Sequence, residues 1–434
     1  MLKLSTSVCI IIFVAALFAV SIGAATYYHY GRPRPTYLRI LHTHSSEMVE
    51  EIVAGFESWY QDQPEYGRPI EVTVIHTDPQ TAFEKATTIF RKAEADVWWG
   101  GPLSLFEEAY NGLLPYNSTH RDDINLTHSY PLMDSSNNTP RWYAASLHGA
   151  GLMYNEHRLV ESNLQIPQTW TNLTLQDYAG NITMVDPSES ESLGSFIMLI
   201  LQSKNWTSGW EYLVTLSALI ETYDADEYDS ALEISNDYLS LAVVPDSYAY
   251  ERIAKNIPQI ALTYLDATIL QPDPIAILNK GTYIDEAKAF VDYVLAFEAQ
   301  DDIGRYLLPI RSDATPPSEP GPFDPTFPAI SMHNESLQEI IREYYRTWIA
   351  ERHTQIKYAW NAIEEANMSS PYYEPAVGNF TYAGYYLNES EISAIYDDTD
   401  GWTNDEKIAS YLAKWRDASR EAYDNAIENA EKIS

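Results

Sequence analysis

The stretch TYLRILHTHSSEMVEEIVAGFESWYQ, residues 36–61, decides the fold class of this chain. Its first nine residues alternate and are β-branched or aliphatic, which predicts a strand. Met48, Ile52 and Phe56 then fall on one helical stripe, and the serines just before them supply a plausible helix start. A strand followed at once by a helix is the building unit of an α/β protein.

The same unit is repeated downstream. IEVTVIHTD (70–78) predicts a second strand, and a helix at about 81–93 leads to ADVWWGG, which predicts a third short strand. A further helix closes with Gly112 just after it. Strands that alternate with helices indicate a parallel sheet with right-handed crossovers. Ligands of such sheets bind beyond the carboxyl ends of the strands, which here are LHTHSSE and WWGGP.

A second α/β section begins near RWYAASLHGAGLMYN. ITMVDP (182–187) predicts a strand, SESESLGSFIMLILQ a helix, and ISNDYLSLAVVPDSYAYERIAKN a strand that enters a loop and a helix. Two crossings, near 146–151 and 268–275, would form a two-strand hinge between discontinuous lobes. A chain of 434 residues is also longer than one hydrophobic core usually serves.

These patterns predict an α/β protein of two lobes with additions at both ends. The predicted bounds are 38–145 and 270–330 for lobe 1, and 146–269 for lobe 2. Residues 1–37 would form a membrane anchor or signal peptide plus a tether, and 331–434 a helical extension packed on the lobes. The connector before this extension, 311–330, carries six prolines.

The N-terminal run VCIIIFVAALFAVSIGAA (8–25) is near the lower limit of transmembrane length, and a removed signal peptide is the alternative. Both interpretations place the rest of the chain outside the cytoplasm, and an uncleaved anchor is favoured because a flexible tether follows. The only cysteine, Cys9, lies inside this run, so no disulfide can form within the chain.

The charge balance limits the possible partners. With 62 acidic and 27 basic residues the formal net charge is −35, which argues against a nucleic-acid ligand. A well-solvated surface in a salty medium is one interpretation, and a preference for cationic ligands is the other. Ten N-x-S/T triplets predict a glycosylated exterior. They begin at Asn117, Asn125, Asn137, Asn172, Asn181, Asn205, Asn334, Asn367, Asn379 and Asn388.

The end of the first strand offers His42 and His44 on one face, with Ser45 just beyond. Such a pair can begin a metal site but needs further ligands, and hydrogen-bonded loop histidines are the alternative. After the third strand, Trp98 and Trp99 are stacking candidates, of which one should face the core. Gly100 would let a ligand approach the backbone N–H groups.

The second section offers serines and tyrosines. Ser188, Ser190 and Ser192 are predicted at a helix start, where hydroxyls and free N–H groups suit an anion, although ordinary capping is the alternative. Tyr248 and Tyr250 would share one side of a strand, whereas a helix would separate them by about 200°.

No enzyme motif is present. The sequence lacks G-x-S-x-G, H-E-x-x-H, G-x-x-x-x-G-K-S/T and G-x-G-x-x-G, and acidic pairs such as Asp122 and Asp123 are typical of solvated surface. We therefore expect a binding protein with no catalytic residues. A secreted hydrolase using paired carboxylates stays open as an alternative.

Several segments, taken in order, resemble the extracellular solute-binding proteins of ABC importers, in the branch that includes binders of ferric iron, thiamine, phosphonates and polyamines. The resemblance covers roughly 38–311. It is carried by THSSE, ADVWWGGP, GLLPY, SLHGAGLMYNEHRL, PQTWTNLTLQDYAGNITMVDPSESESLGSF, DSYAYERIAKN and ILQPDPIAILNKG. It implies a type II periplasmic-binding-protein-like fold and a monomer without a cofactor. The implied partners are a small-molecule or ion ligand, an ABC permease and its ATPase.

The resemblance also implies a site. His44 matches the histidine that ferric binders use after the first strand, and Tyr248 and Tyr250 match their adjacent tyrosines. The expected acidic ligand falls at Gly100 or Gly101, so a metal site of His44, Tyr248 and Tyr250 would apply only if the ligand is ferric iron. The implied function is solute capture between hinged lobes for delivery to the permease. A non-transporting sensory or interaction module is the remaining alternative.

Overall fold

The computed structural model describes residues 35–87, 93–124, 132–136, 138–190, 193–317, 337–366 and 368–433. Several predictions concern residues outside these ranges: the segment at 8–25 with Cys9, Ser192, most of the connector at 311–330, and the sequons at Asn125, Asn137, Asn334 and Asn367. Within the described ranges, no helix combines the length and the hydropathy that crossing a bilayer requires.

The first section forms three strands that are each followed by a helix, as predicted. The strands are β1 (Thr36–His42), β2 (Ile70–His76) and β3 (Val97–Trp99), and the helices are α1 (Ser46–Asp62), α2 (Pro79–Thr87) and α3 (Leu103–Glu108). β1 pairs in parallel with both β2 and β3. Met48, Ile52 and Phe56 of α1 are all buried, which confirms the predicted apolar stripe.

The second section begins with a long strand and continues as α/β units. The elements in order are β4 (Tyr143–Asn155), α4 (Glu156–Glu161), β5 (Ile182–Val185), α5 (Gly194–Lys204), α6 (Trp206–Leu219), β6 (Ile220–Asp224), α7 (Glu227–Ser235), β7 (Leu241–Pro245), α8 (Asp246–Ala254), β8 (Ile260–Thr263), β9 (Leu270–Ile277), α9 (Ile284–Leu295) and α10 (Phe297–Ile303). β5 pairs in parallel with β6 and with β7.

Two antiparallel strands join the sections. The first half of β4, up to Gly149, pairs with β9, whereas its second half pairs with β7 and β8. β9 also pairs with β3 of the first section. The strands therefore form one sheet in the order β2-β1-β3-β9-β4-β7-β5-β6, with β8 beside β4. The two predicted crossings correspond to β4 and β9.

The short strand β3 corrects one prediction. Trp98 and Trp99 are both fully buried, although only one of them was expected to face the core. Trp98 stacks on Phe106 of α3, whereas Trp99 meets Phe290 of α9 edge-on. Because β3 lies between β1 and β9 with helices on both faces of the sheet, neither face of this strand is open to solvent.

The C-terminal region is helical, as predicted. Its helices are α11 (Gln338–Trp348), α12 (His353–Glu364), α13 (Tyr373–Phe380), α14 (Ala383–Tyr386), α15 (Glu389–Asp398) and α16 (Asp405–Glu431). They share one apolar core with α5 and α6 of the second lobe. Tyr344 of α11 meets Trp210 of α6 edge-on, with ring centroids 4.8 Å apart. The extension is thus continuous with the second lobe.

Candidate functional site

The topology brings two sets of strand ends to the same region of the molecule. In the first lobe β1 and β3 end in register, with His42 opposite Trp99. In the second lobe the parallel strands β5, β6 and β7 end at a common edge. Ligands of open α/β sheets bind just beyond such carboxyl ends, so the loops that follow these strands form the candidate site.

In the first lobe, the loop after β3 fits closely against the loop after β1. Gly100 has a φ of +91°, and a Cβ placed there would lie 2.5 Å from Thr43 Oγ1 and 2.6 Å from His44 Nε2. Only glycine combines this backbone conformation with so close an approach. The His44 ring lies edge-on to Trp99 at 4.9 Å between centroids. The structure therefore brings the candidate residues His44, Trp99 and Gly100 together.

His44 also reaches the hinge. Its Nε2 lies 3.2 Å from Oδ2 of Asp273 on β9, with the two side chains 11% and 7% exposed. The same carboxylate oxygen accepts a hydrogen bond from Ser146 Oγ of β4 at 2.9 Å. Burial lowers the pKa of the adjacent His148, while the charge of Asp273 opposes that shift. This polar cluster joins the β1 loop to both hinge strands.

A buried carboxyl opens α8. Asp246 is fully buried, and its Oδ2 accepts hydrogen bonds from the Gly149 N–H at 2.9 Å and from the Tyr264 hydroxyl at 2.8 Å. Its Oδ1 has no hydrogen-bond partner among the residues that the structure describes. Burial raises the pKa of Asp246 to about 7, although the bonds from Tyr264 and Gly149 oppose the rise. Asp246 thus ties α8 to the hinge strand β4.

The two tyrosines of interest lie on a helix, so their side chains diverge. Tyr250 is buried, and its hydroxyl lies 2.8 Å from that of Tyr264 inside the second lobe. Tyr248 is half-buried, and burial raises the pKa of its hydroxyl, with further contributions from the nearby Glu227 and Asp226. Of the pair, Tyr248 is therefore the one beside the loops at the strand ends.

The serine prediction is corrected in its local geometry. α5 begins at Gly194, so Ser188 and Ser190 lie in the turn before the helix. The Ser188 hydroxyl donates to Asp186 Oδ1 at 2.7 Å, and that of Ser190 donates to Glu227 Oε1. Both serines are buried, with their hydroxyls engaged by carboxylates of the same lobe.

Two further candidates lie inside the first lobe. His42 is buried in the sheet next to His76, and burial lowers its pKa to about 4, with smaller contributions from His44 and His76. Trp98 is stacked between β3 and α3, as described above. Ser45 precedes α1 without a side-chain capping bond and is half-buried at the edge of the site. β1 ends at His42, so His44 lies in the loop that follows it and contacts Asp273, whereas His42 contacts His76.

The predicted metal ligands His44 and Tyr250 contact different partners in the structure. Tyr250 directs its hydroxyl towards Tyr264, whereas His44 lies against Asp273. Across the described ranges, no three His, Cys, Asp or Glu side chains are grouped so that they could hold a metal ion. The ferric-iron site stays a prediction, and this arrangement offers it little support.

Sequence reasoning missed Asp273, Ser146 and Asp246. Ser146 and Asp273 are 127 positions apart and meet only because β4 and β9 pair. Asp246 lies two residues before Tyr248, and no motif singles it out. The one usable signal was its position directly after a fully buried strand, LAVVP.

The fold defines the class of protein. Two lobes on one sheet, joined by β4 and β9, form the type II periplasmic-binding-protein fold. AfuA from Actinobacillus pleuropneumoniae, with bound fructose-6-phosphate, is similar at a TM-score of 0.58 and 21% identity, over 73% of this chain and 99% of that one. A ferric binding protein from Campylobacter jejuni is similar at a TM-score of 0.51 and 17% identity, over 74% and 98%. At these identities the likeness shows the fold.

The family is shown by sequence. Residues 109–325 match the model of the bacterial extracellular solute-binding protein family, and the chain belongs to that family. The phosphoglycerate transport regulatory protein PgtC of Salmonella typhimurium is 28% identical over 229 residues, which are 51% of this chain and 57% of PgtC. The chain thus spans little more than half the length of this curated relative. Membership places it among extracellular binding proteins.

Proposed function

We propose that this chain is the solute-binding component of an ABC importer, which captures a small solute between its lobes and delivers it to a permease and its ATPase. The observation that carries the proposal is the pairing of β4 with β9, which leaves two sets of strand ends linked by a hinge. Hinged closure around a ligand is an established response of two-lobed proteins.

In this proposal the hinge separates lobe 1, at 38–145 and 270–330, from lobe 2, at 146–269. The change of partner along β4 at Gly149 and Ala150 supports the boundary, because β9 pairs on one side and β7 on the other. Residues 331–434 would move with lobe 2, since their helices share its apolar core. The N-terminal anchor, the glycans and the monomeric state are further parts of the proposal.

The chemistry around the gap favours a solute that donates hydrogen bonds. Asp273, Asp226 and Glu227 lie near the loops after the strand ends, and His44 and Tyr248 lie among them. Hydroxyl or amino groups on a solute would satisfy such acceptors, whereas a purely anionic solute would face several carboxylates. We therefore propose a small polar solute that carries hydroxyl or amino groups.

Calorimetry combined with small-angle scattering tests this function. Suitable probes are fructose 6-phosphate and 3-phosphoglycerate, with putrescine as an amine and ferric citrate for the metal alternative. We expect saturable binding of at least one probe together with a smaller radius of gyration, because a solute bound by both lobes favours the closed form. Saturable binding with an unchanged radius would contradict the hinge mechanism.

A sensory role is the second candidate. The curated relative PgtC is named as a regulatory protein, and the helices at 337–433 offer a surface beyond the lobes. Cross-linking in native membranes distinguishes the two roles. Adducts with a permease support transport, whereas adducts with a sensor kinase support regulation.

The acidic pair Asp122 and Asp123 offers no support for the hydrolase alternative. Asp123, one of the paired acids, is engaged by His120 at 2.9 Å and by Arg311 at 3.1 Å. These hydrogen bonds lower the pKa of Asp123, so its carboxyl stays ionised on the surface.

A further inference from the structure

One face of α11 lies behind the candidate site. Arg342, Tyr345 and Arg346 are spaced three and four residues apart, so they share a helix face. Tyr345 donates or accepts a hydrogen bond with the Tyr223 hydroxyl of β6 at 2.7 Å. This face therefore meets the second lobe where its parallel strands end.

Arg342 binds the turn between β5 and α5 directly. Its Nε and Nη2 both donate to the carbonyl oxygen of Ser188, at 3.1 and 2.9 Å. Its Cδ lies 3.3 Å from the place that a Cβ on Gly194 would occupy, so the side chain also covers the start of α5. Two hydrogen bonds from a cation to one carbonyl are stronger than a neutral contact.

Asp186 stabilises the same turn by accepting hydrogen bonds from its backbone. Its carboxylate accepts from the Ser188 N–H at 2.8 Å, and its carbonyl accepts from the N–H groups of Glu189 and Ser190 at 3.0 and 3.1 Å. Burial raises the pKa of Asp186, and the charge of Arg346 is among the influences that oppose the rise. α11 thus supports both the backbone of this turn and its partly buried acid, Asp186.

On the opposite side the turn meets the loop after β6. The Ser190 hydroxyl donates to Glu227 and accepts from the Leu193 N–H at 2.9 Å. Glu227 begins α7, and α7 meets α8 where the Arg252 guanidinium lies 4.8 Å from the centre of the Tyr228 ring. Burial raises the pKa of the Tyr248 hydroxyl on α8, and the charge of Glu227 adds to that rise. A displacement of the turn would therefore also shift Ser190, Glu227 and Tyr248.

We propose that Arg342 is a positioning residue of the solute site. By fixing the Ser188 carbonyl, it holds the turn at 186–190 in the conformation that places Glu227 and Tyr248, so the C-terminal helices set the affinity for solute. The inference rests on the proposed function, because it assigns these loops to the solute site. It gives the C-terminal region a role in binding beyond covering the second lobe.

Hydrogen exchange of the ligand-free protein tests the positioning. The variants are Arg342→Met, Arg342→Lys as the conservative change, and Arg352→Met as a matched control. Arg352 also donates to a backbone carbonyl, that of Arg416 at 2.9 Å, but within the C-terminal helices. We expect the amides of Glu189, Ser190 and Gly194 to exchange about tenfold faster in Arg342→Met, since loss of a charge-assisted bond frees the turn.

The control and the conservative variant make the result specific. Arg342→Lys should show an intermediate rate, and Arg352→Met should leave these three amides unchanged even if its melting temperature falls. Equal exchange in Arg342→Met and the wild type would overturn the proposal. Faster exchange in both methionine variants would also overturn it, because it would mark a general loss of stability.

A titration with fructose 6-phosphate tests the link to affinity separately. We expect the Kd to rise about tenfold in Arg342→Met and to stay within about twofold in Arg352→Met. Faster exchange of the turn amides with an unchanged Kd for the probe would overturn the claim that the helices set the affinity. If the wild type does not bind fructose 6-phosphate, the same comparison uses whichever of the other three probes binds; if none binds, the proposed solute class fails, while the exchange rates still decide whether Arg342 positions the turn.

Discussion

At the scale of single residues, Gly100 makes the clearest prediction. Gly100→Ala should lower the free energy of unfolding by about 1–3 kcal/mol, because φ is +91° and the new Cβ would press on Thr43 and His44. Urea denaturation measures this change. Gly378→Ala is the matched control, since nothing lies within 4 Å of its added Cβ and its φ is not in the left-handed region.

The control variant Gly378→Ala should instead raise the free energy of unfolding. Gly378 lies inside α13, where alanine is favoured over glycine by roughly 0.5–1 kcal/mol. If both variants lose the same stability, the close packing of the β3 and β1 loops is not what makes Gly100 necessary.

Asp246 makes a prediction about pH. Its folded pKa of about 7 lies above the usual value of about 3.9, so the folded protein binds more protons between these values. The free energy of unfolding should therefore fall as pH rises through this window. Asp246→Asn should remove that slope, and the difference between wild type and variant should change by roughly 2–4 kcal/mol from pH 4 to pH 8.

Chemical denaturation at four or five pH values supplies the measurement. In the variant, the Gly149 N–H can still donate a hydrogen bond to the side-chain oxygen of the asparagine, so the fold should persist. Parallel pH profiles for wild type and variant would mean that the buried carboxyl is ionised throughout, contrary to its burial.

At the scale of elements, local patterns predicted most of the fold. The strand predicted at 36–44 is β1 at Thr36–His42, and the crossings predicted near 146–151 and 268–275 lie within β4 and at the start of β9. These predictions succeeded because strand alternation, helical apolar stripes and the order of the units depend on residues that are close together in the sequence.

The site was harder to predict, for physical reasons. The helix expected at Ser188 begins only at Gly194, because the Asp186 carboxylate captures the Ser188 N–H and hydroxyl and holds the chain in a turn. The meeting of Ser146 with Asp273 depends on the register of β4 against β9, which no local pattern contains. The separation of Tyr248 from Tyr250 required knowing that α8 begins directly after β7.

The C-terminal helices make a prediction at this scale. Trp348 of α11 is fully buried and meets Tyr344, Tyr386 and Tyr423. Trp348→Ala should cost about 3–5 kcal/mol, because it removes a large side chain from a core shared with the second lobe. Thermal unfolding followed by circular dichroism measures the loss and the number of transitions.

The exposed Tyr358 provides the control. Tyr358→Ala should change stability by no more than about 0.5 kcal/mol, since more than half of its surface is in solvent. An early transition in Trp348→Ala that melts only the C-terminal helices, with lobe 2 intact, would contradict a shared core.

At the scale of the whole molecule, the lobes share one sheet and also touch through an ion pair outside it. Lys255, just after α8 in the second lobe, lies 3.2 Å from Glu47 of α1 in the first. Both side chains are substantially exposed, so this ion pair adds at most about 1 kcal/mol and weakens with salt. The ion pair shows that the lobes are in contact. It is too weak to hold them closed, so closure would depend on a bound solute.

The distance between these two positions tests hinged closure most directly. Spin labels would be placed at Glu47→Cys and Lys255→Cys, with Cys9→Ser to remove the native thiol, and their separation measured by pulsed electron resonance. Hinged closure predicts a broad distribution of distances without ligand, and a narrower distribution at shorter distances with a saturating probe that calorimetry shows to bind. An identical distribution in both states would contradict the claim that two lobes hinge on β4 and β9 to enclose the solute.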